Sequence, residues 1–258
     1  MKQISIVASV FKMYLLQMIR SRGFFVRGLV FAPIWAISYY YSMKVFSPDS
    51  SVITSKILLG LILWIWLYDS VWDVSNCLSS EKKLERIDHI FLTERKTSWV
   101  LGMSFALTLF QLLNLAVVWI VISFLFGIVL SANPLVIVLL LILGIITISS
   151  LSMFAASLSF RMRSHVNSLS IILDILMLVC GVVYPVVLFN PALRYLSYTL
   201  PVTIMIEMAG MDNMSITSGF LIRLAICIIE SLVLFGLALK SIDHAERKAM
   251  ENDSLSRH

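Results

Sequence analysis

The chain has 258 residues, 59% hydrophobic and 14% charged, and its net charge is +5 at pH 7. An ordinary soluble domain carries about 25% charged residues, so a water-soluble fold is excluded as a first reading. Several predominantly apolar windows reach the length that crosses about 30 Å of hydrocarbon as a helix, and in such a protein the placement of Lys and Arg reports topology, not affinity for nucleic acid.

In chain order, residues 4–19 come first. They set Ile4, Val7, Ala8, Phe11, Leu15, Met18 and Ile19 at helical spacing, with Ser5, Ser9, Lys12 and Arg20 opposite. This pattern predicts an N-terminal amphipathic helix, residues 1–22, lying on the membrane surface; a helical extension of the first span is the alternative. Lys12 and Gln17 interrupt the window and no small-residue cleavage pattern follows, so the N-terminus is expected to be retained.

Six spans are predicted, near Phe24–Phe46, Ile57–Val74, Ser98–Leu125, Pro134–Phe160, Val166–Leu188 and Ser218–Lys240. With the N-terminus inside, only Lys44, Lys56, Arg194 and Arg223 of the 20 Lys and Arg fall outside. This asymmetry places both termini in the cytoplasm, with residues 241–258 as a cytoplasmic tail.

The segment 75–97 between spans two and three contains "CLSSEKKLERIDHIFLTERKTSW". Leu84, Ile87 and Phe91 form one apolar helical stripe beside Glu81, Lys82, Glu85, Arg86 and Asp88, and Ser79 or Ser80 is a candidate cap. The segment reads as a short amphipathic helix at the cytoplasmic face, or as a solvated connector whose charges hold the topology. Asp69 and Asp73, four residues apart, read as interfacial charges at the end of span two.

Beyond span five, residues 189–217 continue an apolar run broken by Pro185, Pro191 and Pro201. Proline removes a backbone donor, and broken helix at membrane depth must be buried in protein or line a cavity. Short re-entrant or interfacial helices are therefore expected, a surface loop being the alternative. Inside the spans, Glu230 and Asp174 are candidate functional acids, because a carboxyl in hydrocarbon is costly. Glu230 either lines a translocation path or clamps helices by hydrogen bonding. Arg223 stands seven residues before it, and Arg161 or Arg163 is a candidate partner of Asp174. Trp64 and Trp66 lie deep in span two, where contact with lipid or a neighbouring helix is the simpler reading than contact with a substrate.

The order of these parts resembles the permease subunits of type-2 ABC transporters, the ABC-2 exporter family. That family's first cytoplasmic loop often reads E-x-x-x-G-T-L-E-x-L-x-x-T-P. Laid on Glu81 to Glu94, it matches at Glu81, Ile87, Asp88, Ile90 or Phe91, and Thr93, and departs at Glu85, Arg86 and Glu94. Tyr184-Pro185 and Leu200-Pro201 resemble the family's proline marks around its outer re-entrant region. The resemblance implies an all-α polytopic membrane protein forming one transmembrane domain over residues 1–258. It also implies a bacterial cytoplasmic-membrane location and a second permease copy as partner. The coupling helix carrying Glu81, Leu84, Glu85, Ile87, Asp88 and Phe91 would then dock on a cytoplasmic ATP-binding subunit.

The chain has no G-x-x-x-x-G-K-[ST] loop to cradle phosphates, so no cofactor is expected on it, and ATP and Mg belong to the partner. An ion-coupled secondary carrier using Glu230 and Asp174 is the alternative function, although no internal inverted repeat supports it. A membrane enzyme is the weakest reading: no H-E-x-x-H occurs, and His89, His165, His244 and His258 sit at or beyond span ends. Cys77, Cys180 and Cys227 have neither C-x-x-C nor metal-site spacing and read as free thiols.

Overall fold

The computed structural model describes residues 2–21, 51–83, 96–126, 134–161, 166–182, 186–209 and 217–255, together with residues 23, 26, 30, 33, 34, 37, 38 and 41. Among these residues it is all helical. The helices are α1 (Lys2–Arg20), α2 (Ser51–Lys83), α3 (Lys96–Phe126), α4 (Pro134–Arg161), α5 (Val166–Val179), α6 (Pro191–Tyr198), α7 (Pro201–Ala209) and α8 (Ser218–Leu255), with a 3-10 turn at Val186–Leu188 before α6. The first expected span falls largely outside the described residues; of its described positions, Val26, Val30, Ile34 and Tyr41 are exposed.

Among the described residues, three stretches are long and apolar enough to cross a membrane: Thr97–Val121 in α3, Leu135–Leu158 in α4 and Ser218–Ala245 in α8. α2, at 33 residues, is about 50 Å long, but from Gly60 onward Asp69, Ser70, Asp73, Ser75 and Asn76 dilute its apolar character. α8 runs through Lys240, the expected end of the last span. It continues as one helix to Leu255, so the described part of the tail extends the last span.

Three packed clusters order the bundle along its axis. At one end Tyr14 and Met18 of α1, Val74 and Leu78 of α2, Trp99, Val100 and Met103 of α3, Met153 of α4 and Ile242 of α8 share a core. The middle joins Trp66 and Leu67 of α2 to Leu115 of α3, Ile148 of α4 and Leu169 and Leu173 of α5. At the far end, Val136 and Leu140 of α4 pack with Ile204, Met205 and Met208 of α7 and Phe220 of α8. Thus α2 ends where α3 begins, and α4 and α8 run parallel. Two hydroxyl pairs lock those last helices: Thr147 to Ser231 at 2.7 Å and Ser157 to Ser241 at 2.6 Å, both 84 residues apart in sequence. The equal offset means that the helices do not slip past each other over this stretch.

Small residues permit the closest approaches, as expected where hydrocarbon solvent offers no hydrophobic drive between helices. A Cβ on Gly102 of α3 would stand 2.8 Å from the Val7 carbonyl oxygen. That contact selects which face of α1 is buried. Val10, Tyr14 and Met18 are covered by the bundle, whereas Ile4 and Ile19, on the apolar stripe expected to meet the membrane, are 77% and 48% exposed. α1 is apolar on more than one side, and packing chose between the sides.

Candidate functional site

The charged loop is rooted in the first of these clusters. Of the six expected docking residues, Glu81 is half-buried on the last turn of α2, and Leu84, Glu85, Ile87, Asp88 and Phe91 lie outside the described residues. The roots on both sides are anchored. Leu78 and Trp99 are each 2% exposed, and Tyr14 meets Trp99 edge-to-face at 5.6 Å. The Thr97 hydroxyl donates to the Asp243 carboxylate at 2.6 Å, tying the start of α3 to α8.

Ser79 and Ser80 do not cap a new helix. Their hydroxyls donate to the Ser75 and Cys77 carbonyls, both at 2.7 Å, and α2 runs through them to Lys83. A serine that bonds back within its own helix leaves the turn unbroken. Beside them, burial pushes the Cys77 thiol up to about 12, and the Asp73 and Glu81 carboxylates add to the effect.

Asp73, expected near the membrane interface at the end of span two, is packed between helices. It is 1% exposed and accepts a hydrogen bond from Gln111 Nε2, whose own Oε1 accepts from Asn114 Nδ2 at 2.9 Å. This places a carboxyl inside the α2–α3 interface, where a polar group must be hydrogen-bonded to be tolerated. Trp64 and Trp66 are also interior, 4% and 1% exposed, and Trp66 Nε1 donates to the Thr108 carbonyl at 2.9 Å.

The end of the bundle that holds α7 is built from short pieces. α5 has 14 residues, about 21 Å, which is shorter than the hydrocarbon, and it ends before the expected Leu188. Gly181, at φ 77°, makes the left-handed turn that a side chain resists. Tyr184 and Pro185 lie outside the described residues. Pro191 and Pro201 open α6 and α7, the position where a missing N–H costs nothing, and Asn190 caps α6 by accepting from the Ala192 N–H at 3.3 Å. α7 is buried at Pro201 to Met205, Met208 and Ala209, wedged among α2, α4 and α8.

Arg223 does not turn to Glu230. It pairs with Glu207 of α7 at 3.2 Å, and Glu207 also accepts from the Tyr198 hydroxyl at 2.7 Å. That bond, with burial, raises the Tyr198 phenol above its ordinary range. One carboxylate thereby joins α6, α7 and α8. Sequence reasoning missed Glu207; the available signal was that Arg223, at the head of an apolar helix, required a counter-ion. Arg194 donates through Nη2 to the carbonyls of Val187 and Phe189, securing the 3-10 turn to α6.

The two candidate path acids lie on different helices. Glu230 is half-buried on α8, and its Oε2 is buried with no hydrogen-bond partner. Asp174 is exposed on α5, on a stripe with Ile171, Ile175 and Leu178, which are 59%, 55% and 54% exposed. Arg163 and the Arg161 side chain fall outside the described residues.

Among the described residues, no three His, Cys, Asp or Glu side chains gather as a metal would require. No curated protein matches this chain. A family model described as "ABC-2 type transporter" matches residues 6–212, most of the 258. With its all-helical bundle and apolar spans, the chain belongs to the ABC-2 type transporter family, as an integral, multi-pass membrane component of an ABC transporter and not itself an enzyme.

Proposed function

We propose that this chain is the permease of an ATP-driven exporter, working as a dimer or with a sister permease in a bacterial cytoplasmic membrane. Six spans cross the bilayer, both termini face the cytoplasm, and ATP and Mg bind a separate subunit that docks on residues 81–91. The observation that carries the docking role is the anchoring of the loop's roots. A force applied to residues 84–95 enters Leu78, Trp99 and Thr97, and through them α1, α3 and α8 together. Close-packed interiors transmit such displacement because they have no slack to absorb it.

The parallel run of α4 and α8 supports the span count. Two parallel spans require that residues 162–217 cross the bilayer once, and α5 covers only part of that distance, so α6, α7 and the residues around them complete the crossing on the outer side. Asp174, exposed on α5, and Glu230, with an unpartnered oxygen on α8, are the residues of this chain assigned to the translocation path.

The test is a mild-detergent pull-down of the tagged chain with Leu84→Asp, Ile87→Asp and Phe91→Asp, each made singly. A stoichiometric protein bearing a phosphate-binding loop should accompany the parent chain and be lost from the variants, while membrane insertion is unchanged. Normal recovery of that protein by all three variants would remove the docking role.

A further inference from the structure

The face of α1 turned away from α3 carries a groove of about 470 Å³ lined by Met13, Leu16, Gln17, Arg20 and Ser21. Met13, Leu16 and Ile19 are 49%, 40% and 48% exposed, although Val10, Tyr14 and Met18 already supply the contacts that hold the helix to the bundle. The groove has apolar walls and a polar end. Lys12, Leu16 and Arg20 follow one another at four-residue spacing, so a cation stands one turn beyond each side of Leu16.

α1 contains Lys2, Lys12 and Arg20 and no Asp or Glu. Its field is therefore of one sign, and it attracts an anion to a surface that also presents hydrocarbon. We infer that this groove is a binding site for an anionic phospholipid, the acyl chain lying along Met13 and Leu16 and the phosphate held at Arg20 and Gln17. The inference rests on α1 lying at the cytoplasmic membrane surface, as its pattern predicts, but turned so that the side bearing Met13 and Leu16, exposed beside Arg20, also meets lipid.

The backbone itself offers the phosphate nothing. Arg20 is the last residue of α1, and a helix C-terminus bears the negative end of the dipole. Among the described residues, the donors are the Arg20 guanidinium, the Gln17 amide and the Ser21 hydroxyl. A guanidinium presents a fork of N–H groups that matches phosphate geometry, and a cation beside an anionic membrane surface adds Coulombic attraction. A zwitterionic lipid would bring a cationic headgroup to the same place and lose that advantage.

The experiment is native mass spectrometry of the full-length protein in mild detergent, titrated with phosphatidylglycerol or with phosphatidylcholine of the same chains. The parent should retain phosphatidylglycerol preferentially, and Arg20→Gln and Lys12→Gln should each reduce its retention, by about fivefold per cation removed. Arg20→Lys should restore most of the preference, and Leu16→Ser should weaken both lipids. Equal retention of the two lipids by the parent, an unchanged preference in Arg20→Gln, or displacement of the lipid by inorganic phosphate would overturn the site.

The position of α1 is read separately, from quenching of a fluorophore on Met13→Cys by spin-labelled lipid, with the signal of the parent chain subtracted. Quenching without any phosphatidylglycerol preference would sink the lipid site alone. A label open to water and unquenched would sink the placement of α1, and the site with it.

Discussion

Gly144→Ala tests the packing that seats α7 within the bundle. A Cβ at position 144 would overlap Trp66 Cζ3, stand 2.7 Å from its Cη2 and lie 3.2 Å from Met205 Cε. The Trp66 ring has no free direction in which to retreat, because it is 1% exposed and its Nε1 is held by the Thr108 carbonyl at 2.9 Å. Forcing a methyl into such a core costs about 1–3 kcal/mol. Alanine returns at most about 1 kcal/mol through its better helix propensity, so the variant is destabilised by a net of about 1–2 kcal/mol. For a chain of this size that corresponds to a melting temperature about 2–8 °C lower. Gly236→Ala is the control: a Cβ there has nothing within 4 Å, so the variant should melt at or slightly above the parent. Thermal unfolding of the three proteins in one detergent reads the difference. If Gly144→Ala melts with the parent, or if Gly236→Ala falls equally, the steric argument is wrong.

The buried carboxyl gives a second test. Gln111→Leu takes the amide donor from Asp73 and should cost about 1.5–3 kcal/mol, whereas the double variant Asp73→Leu/Gln111→Leu should recover much of that loss; non-recovery in a thermal double-mutant cycle would show that the pair is not coupled. With its thiol raised to about 12, Cys77 should alkylate on the order of a thousandfold more slowly than a free thiol near neutral pH, because the thiolate is the nucleophile, and denaturation should abolish the difference. The raised phenol of Tyr198 favours the neutral form in the folded protein. Its contribution is therefore whole below the unfolded phenol range and disappears as pH climbs through the raised value. Phenolate absorbance, taken as a difference against Tyr198→Phe, should titrate above the ordinary range and move down in Glu207→Gln.

The sequence by itself determined that this is an all-helical membrane protein, because apolar runs of spanning length leave the backbone no other way to satisfy its hydrogen bonds in hydrocarbon. It also marked the charged stretch between α2 and α3 and the proline breaks near α6 and α7, since Gly, Pro and charge act locally and are visible at their own positions. Tertiary structure alone decided the partners. α1 carries apolar residues on more than one side, and only the notch at Gly102 chose Val10, Tyr14 and Met18 as the buried face. Asp73 read as a charge near the membrane interface from its place at the end of span two, and nothing in that helix alone showed that Gln111, 38 residues later, donates to it between α2 and α3. Arg223 stood seven residues from Glu230, but a folded-back α7 brings it Glu207 from the other side. Spacing along one helix states which residues share a face. Which neighbour that face meets depends on how separate helices come together, and that is not written in any one of them.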